Sequence, residues 1–177
     1  MPSELEKVEF EHPDFVAETG KICAAWSLLE LITDRILWGV LGVSSKIGSI
    51  ISSPKDLTAR WDLISKNAEH VVAPADLERV KKINKQLVAV TVDRNIAVHG
   101  TILVWPEPRK HYAIVTRGIH AGKLNEIDVD RMQVIIKNIK ILSVEATKLC
   151  TKYKWMNEAP PSDPFNLDWA KPIEGFP

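Results

Sequence analysis

Near the middle of the chain, an arginine, an asparagine and a histidine fall within the stretch DRNIAVHG, Asp93 to Gly100. Arg94, Asn95 and His99 are residue types that can hold an anion or move a proton. Their spacing decides whether they can act together. Placed on a helix at about 100° per residue, Val80, Ile83, Leu87, Val90 and Ala97 form one apolar stripe, and Arg94 projects inside it, between Leu87 and Ala97. A cation in such a stripe is costly unless it meets a partner or an anion. Asn95 and His99 are four residues apart and share the adjoining face, with Asn84 and Lys81 one to three turns back. Asp93 points away from both. Val88, Val92 and Ile96 lie on another side, so this end is apolar on more than one face, as suits a helix wedged between its own core and a second subunit. The plain alternative is a helix end: Arg and His interact well with the dipole at a C-terminus, and Gly100 is an ordinary stop. The combination, rather than any one residue, singles out Arg94, Asn95 and His99 as a candidate phosphate-handling site.

The elements that must position them follow from hydrophobic period. Ile22, Ala25, Trp26, Leu29, Ile32, Ile36, Leu37, Val40 and Leu41 recur at helical steps, predicting a helix from residue 14 or 15 to about 41, stopped by Gly42. Residues 42–54 read as a short helical turn or packed loop. Ser53-Pro54 reads as cap plus first-turn proline of a helix carrying Leu57, Trp61, Ile64 and Ala68 and ending near Val72. Pro74 and Asp76 open the helix that ends at Gly100. TILVW and YAIVTRG predict a β-hairpin over 101–118, and IHAGKLNEIDV a loop. A last helix spans about 128–155, with Met132, Ile135, Ile136, Ile139, Leu142, Val144 and Leu149 as its apolar set. The expected fold is therefore all-α, a four- to five-helix bundle with a short inserted β-hairpin after the third long helix, forming one domain over residues 1–155. The segment 156–177 holds five of the eleven prolines together with Phe165, Trp169 and Phe176. It is expected to be docked, on its own subunit or on a neighbour.

The chain has 177 residues, 45% of them apolar, with 23 basic and 23 acidic side chains. That is enough for one domain with a core, and a neutral balance argues against the broad basic face of a non-specific DNA binder. It leaves room for a local anion site. The N-terminus lacks the basic and apolar regions of a signal peptide, and the longest uncharged apolar stretch, Ile36 to Ser45, is too short to cross a bilayer. Cys23 and Cys150 are in no metal-type spacing, as a reducing compartment permits. The expectation is a soluble cytoplasmic protein. P-loop, G-x-S-x-G, H-E-x-x-H and C-x-x-C signatures are missing, and the five histidines (12, 70, 99, 111 and 120) do not cluster as metal ligands do. No metal and no cofactor are expected. Gly39 and Gly42 beside Ser44 and Ser45 read as packing glycines.

Arg94-Asn95-Ile96-Ala97-Val98-His99, near the end of a helix in an all-α bundle, resembles the motif of HEPN domains, the higher eukaryotes and prokaryotes nucleotide-binding superfamily: Arg, a polar residue, three more, then His. The resemblance covers roughly residues 15–155 and rests chiefly on those six positions. The hairpin and the proline-rich segment are not core features of the family. The resemblance implies a metal-independent endoribonuclease that works as a homodimer, with both motif copies at a shared cleft. It further implies a bacterial defence or toxin–antitoxin setting, and with it an antitoxin or regulatory partner. In RNA the 2′-hydroxyl can attack the adjacent phosphate. His99 then serves as acid/base, Arg94 as the stabiliser of the charged transition state, and Asn95 as a positioning group that orients His99 or binds a phosphate oxygen.

Arg109, Lys110 and His111, at the hairpin tip, are weaker candidates for an RNA-facing rim, with Arg117 and His120 beyond them; a solvated turn explains them as well. Glu30 and Asp34 sit one turn apart on the first helix, where Asp34 can pair with Arg35 or reach Arg94, though a surface role is expected. Trp26 and Trp61 read as core. The competing functional readings are a non-catalytic HEPN-like scaffold or nucleotide- or RNA-binding partner protein, and a plain helical interaction domain whose Arg94 forms a structural ion pair.

Overall fold

The computed structural model of the chain describes residues 13–105, 110–114 and 124–156, with the strands between 101 and 124 described by their backbone alone. Five α-helices dominate: α1 (Pro13–Leu41), α2 (Ser45–Ser52), α3 (Leu57–Asn67), α4 (Pro74–His99) and α5 (Val129–Lys152). A 3-10 turn, Ala68–His70, extends α3. Among the described residues no helix is long and apolar enough to cross a membrane.

Local chemistry sets the boundaries. Gly42 ends α1 with φ +62°, a left-handed conformation that costs glycine little. Gly39, one turn earlier, lies where the Trp155 indole leaves no room for a Cβ, so it is a packing glycine. The start of α3 differs from the sequence expectation. Ser53 closes α2, and Asp56 is the cap of α3, its carboxylate accepting from the Ala59 N–H at 2.8 Å. The mobile choice between Ser and Asp was settled by the backbone: α2 is a full helix that uses Ser53 as its own end. Pro74 does begin α4. Gly100 follows it in an extended conformation, φ −73° and ψ 140°; the chain passes directly from α4 toward β1, and no glycine-only geometry is involved. Asp128 caps α5 through the Arg131 N–H at 2.7 Å.

The helices alternate in direction. Gly48 of α2 meets Trp38 of α1; Thr58 of α3 faces Thr91 of α4, and Asp62 of α3 faces Asn84; Asp76 and Asp93 of α4 meet Lys152 and Arg131 of α5. The outcome is an up-down-up-down-up bundle with α1 touching every other helix. Its core holds the residues that the periodicity selects, including Ile22, Leu29, Ile36, Leu37, Ile64, Ile83, Leu87, Met132, Ile139 and Leu149, all almost wholly buried. Trp61 is fully buried, and its indole N–H donates to Thr33 Oγ1 at 2.9 Å, so neither polar group is stranded. Val144 departs from expectation. It is 54% exposed, because α5 turns its Ile139–Leu142–Ala146–Leu149 edge inward and Val144 to the outside.

Between α4 and α5 run three short antiparallel strands in the order β1 (Thr101–Trp105), β2 (Lys110–Ile114) and β3 (Leu124–Glu126). Thr101 is opposite Ile114, and Trp105 opposite Lys110. Residues 124–126, expected as loop, pair instead with 112–114 of β2. Because β1 continues α4 and β3 leads into α5, this backbone feature sits at the Arg94 end of the bundle.

Candidate functional site

The last two turns of α4 bring Arg94, Asn95 and His99 into contact. Arg94 Nη1 donates to Asn95 Oδ1 at 3.1 Å and lies 2.7 Å from His99 Nε2. A guanidinium has only donors, so Nε2 must be the acceptor and the ring proton sits on Nδ1. His99 is exposed, Arg94 and Asn95 half-buried. The opposite face of the guanidinium rests on α1, where its carbon lies 5.2 Å from the centroid of the Trp26 ring. Trp26 is itself 5% exposed. It is core, as expected, and also the plate on which Arg94 is laid. Lying over the Trp26 ring, the Arg94 guanidinium leaves the apolar stripe, which lowers the expected cost of a cation there.

The electrostatics of the group are unsaturated. Among the described residues no carboxylate pairs with Arg94, and its Nε is buried without a hydrogen-bond partner. Burial, then the adjacent Arg94 charge, hold the His99 pKa below its ordinary value of 6.5. The imidazole is thus neutral at pH 7, the form that can accept a proton. Asn95 orients Arg94 rather than His99, a change from the role expected of it: its side-chain oxygen faces the guanidinium. Asp93 is turned aside and pairs with Arg131 of α5 at 3.3 Å, and Arg131 also donates to the Glu126 carbonyl. The pair ties α4 to the start of α5 and turns the Asp93 charge away from the three-residue group.

The weaker candidates divide. Lys110 and His111 lie on the β2 backbone opposite Trp105 and Val104. Arg109, Arg117 and His120 lie outside the described residues, as does the segment 157–177 expected to dock. Asp34 reaches neither Arg35 nor Arg94; it pairs with Arg60 of α3 at 3.2 Å, while Arg35 lies over the Trp38 ring. Glu30 is half-buried on α1.

Two features escaped sequence reasoning. Trp26 as a partner of Arg94 joins residues far apart in the chain, and only the tryptophan's helical position hinted at it. The second is a polar cluster at the other end of α4. Asp76 is 3% exposed and receives Lys152 Nζ at 2.5 Å, the Tyr153 hydroxyl at 2.7 Å and Arg79 Nη1 at 3.4 Å. The same Tyr153 oxygen accepts the Ala73 N–H at 2.8 Å. Asp76 in a first helical turn is a visible signal, but the sequence alone reads it only as the opening of the helix.

Among the described residues no group of three or more His, Cys, Asp or Glu is arranged to hold a metal ion. Burial pushes the Cys150 thiol up to about 11, which makes it a poor nucleophile. No protein-family model, no curated protein and no solved structure matches the chain.

Proposed function

We propose that this chain is a metal-independent endoribonuclease of the HEPN type, working as a homodimer in which two α4 ends face one RNA strand. The reading rests on one observation: Arg94 touches both Asn95 and His99 while no described carboxylate neutralises it. A phosphate suits a guanidinium so placed, because a guanidinium binds phosphate oxygens in pairs.

The chemistry is RNA transesterification. The substrate phosphate draws Arg94 Nη1 away from His99 and so frees the Nε2 lone pair. His99 takes the proton of the 2′-hydroxyl as the 2′-oxygen bonds to phosphorus. The bond from phosphorus to the 5′-oxygen breaks, leaving a 2′,3′-cyclic phosphate and a 5′-hydroxyl that gains a proton from solvent. Arg94 carries the added negative charge of the five-coordinate phosphorus. Trp26 and Asn95 hold the guanidinium in place. Lys110 and His111, with Arg109, add a rim for the rest of the strand.

The family resemblance adds a toxin–antitoxin or phage-defence setting in the cytoplasm and a regulatory protein partner. A fold alone does not carry a function, so the setting follows only if the cleavage does. One observation favours the alternative, a non-catalytic dimeric scaffold or RNA-binding partner: Nε2 already accepts from Arg94 Nη1. The two readings separate in one experiment, incubation of single-stranded RNA with purified protein in EDTA. The nuclease cuts and leaves cyclic phosphate ends; the scaffold binds without cutting. Light scattering at micromolar concentration tests the dimer, and a monomer there would undo the shared site.

A further inference from the structure

We propose that the groove between α1 and α5 is the seat of this chain's own C-terminal segment, residues 157–177. The groove has a volume of about 810 Å³ and is walled by Leu28, Leu31, Val144 and Met156. These four side chains are 52%, 55%, 54% and 49% exposed, a contiguous apolar patch of a kind that monomeric proteins rarely leave to water. A hollow of this size is within the range of pockets that enclose one ligand, about 300–1,000 Å³. Twelve residues line it, against the roughly 20–30 that each partner gives to a stable dimer.

Three facts select the occupant. Met156 is both a wall of the groove and the last described residue of the chain, so the segment leaves from the groove itself. The segment then brings Phe165, Trp169 and Phe176, spaced among five prolines. Nine residues beyond Met156, Phe165 has an extended reach of about 30 Å, and the α5 wall from Lys140 to Lys152 is about 18 Å long. Charge agrees. The segment carries Glu158, Asp163, Asp168 and Glu174 against Lys171, a net charge of −3. Lys140 lines the groove and Lys137 the adjoining hollow on α5; neither meets a carboxylate among the described residues. Lys148 and Lys152, also at the rim, are occupied by Glu145 and Asp76.

The docking is independent of the α4 site. Arg94, Asn95 and His99 do not line the groove, and Leu28 and Leu31 project about 200° and 140° around α1 from Trp26. Tethering keeps affinity requirements low, because a short linker presents its ligand at effectively millimolar concentration.

Chymotrypsin provides the test, since it cuts after Phe165 and Trp169 when they are accessible. In the full-length parent both cuts are slow. In Leu31→Glu and in Val144→Glu, exposed positions whose replacement leaves the thermal midpoint nearly unchanged, both are at least tenfold faster. Lys140→Glu gives a smaller acceleration that fades at high salt. Equal rates in the parent and both groove variants overturn the proposal. Protection that rises with protein concentration also overturns it, by assigning the groove to a second copy. A second readout avoids proteolysis: in the full chain, Trp169→Ala shifts the methyl resonances of Leu28, Leu31 and Val144 by removing a ring current. Unmoved methyls contradict the docking.

Discussion

The two ends of α4 carry similar side chains in opposite condition. At its start, Asp76 is buried and fully served: an ammonium, a phenol and a guanidinium converge on one carboxylate, and Tyr153 passes a further bond to the Ala73 N–H. At its finish, Arg94 is half-exposed and, among the described residues, meets neutral groups: an amide oxygen, an imidazole and the Trp26 ring. In the first cluster the buried carboxylate is already met by a cation and a hydroxyl, and the bonds it makes fasten α4 to the end of α5. The second has capacity in hand and lies at the edge of the fold. Polar residues at a helix end are therefore read by what remains unsatisfied rather than by how many there are.

Substitutions sharpen that contrast. Arg94→Ala is expected to lower RNA cleavage by on the order of 10²–10³, the loss typical of one transition-state donor, with a thermal midpoint close to the parent's. A loss of activity explained by unfolding would put the two ends in the same class. Asp76→Asn is expected to do the reverse. It lowers the thermal midpoint at pH 7 and leaves cleavage per folded molecule unchanged. Its pH dependence has a defined sign. Lys152 and Tyr153 hold the Asp76 carboxyl below its ordinary 3.8, so its stabilising effect is present above that value and is lost as pH falls through the lower folded value. The parent's stability therefore drops with acid in that range more than the variant's does.

A third expectation concerns His99 alone. With its pKa lowered, cleavage needing the neutral imidazole is expected to hold down to below pH 6.5 and to fall under that, to be measured on the acid limb of kcat/KM. Arg94→Ala removes one of the two causes, and NMR titration of His99 should show its pKa rise toward the ordinary value; an unchanged titration would mean that Arg94 does not face the ring in solution. The smallest effect belongs to Asp93→Asn. The Asp93–Arg131 pair is two-fifths exposed, and such pairs contribute under about 1 kcal/mol. Stability and cleavage should both stay near the parent's, which separates Asp93 from its neighbour in the chain.

Much of the bundle was legible because burial leaves a period. The stripes from Ile22 to Val40, from Leu57 to Ala68 and from Val80 to Ala97 are the core itself. Boundaries that depend on one hydrogen bond were not: Ser53 and Asp56 are both good caps, and only the length of α2 decides between them. Val144 was misplaced because the apolar set of α5 is wider than its buried edge. The short pairing of 124–126 has no pattern long enough to distinguish it from loop. At the site, helical spacing put Asn95 and His99 on one face and Arg94 in the stripe beside it; that Arg94 touches both depends on the reach of its long side chain and could not be read from spacing. The Trp26 plate could not, since it depends on how α1 crosses α4. The Asp76 cluster failed to show for the same reason: Lys152 and Tyr153 join it from the far end of the sequence.

Central to the account is that His99 moves a proton in RNA cleavage without metal. The direct measurement is the rate of single-stranded RNA cleavage in EDTA by the parent and by His99→Ala at equal folded concentration. The account predicts cutting by the parent, with cyclic phosphate ends, and a rate lower by about 10²–10⁴ in the variant. A variant that cuts as fast as the parent, or a parent that binds RNA and leaves it whole, would contradict it.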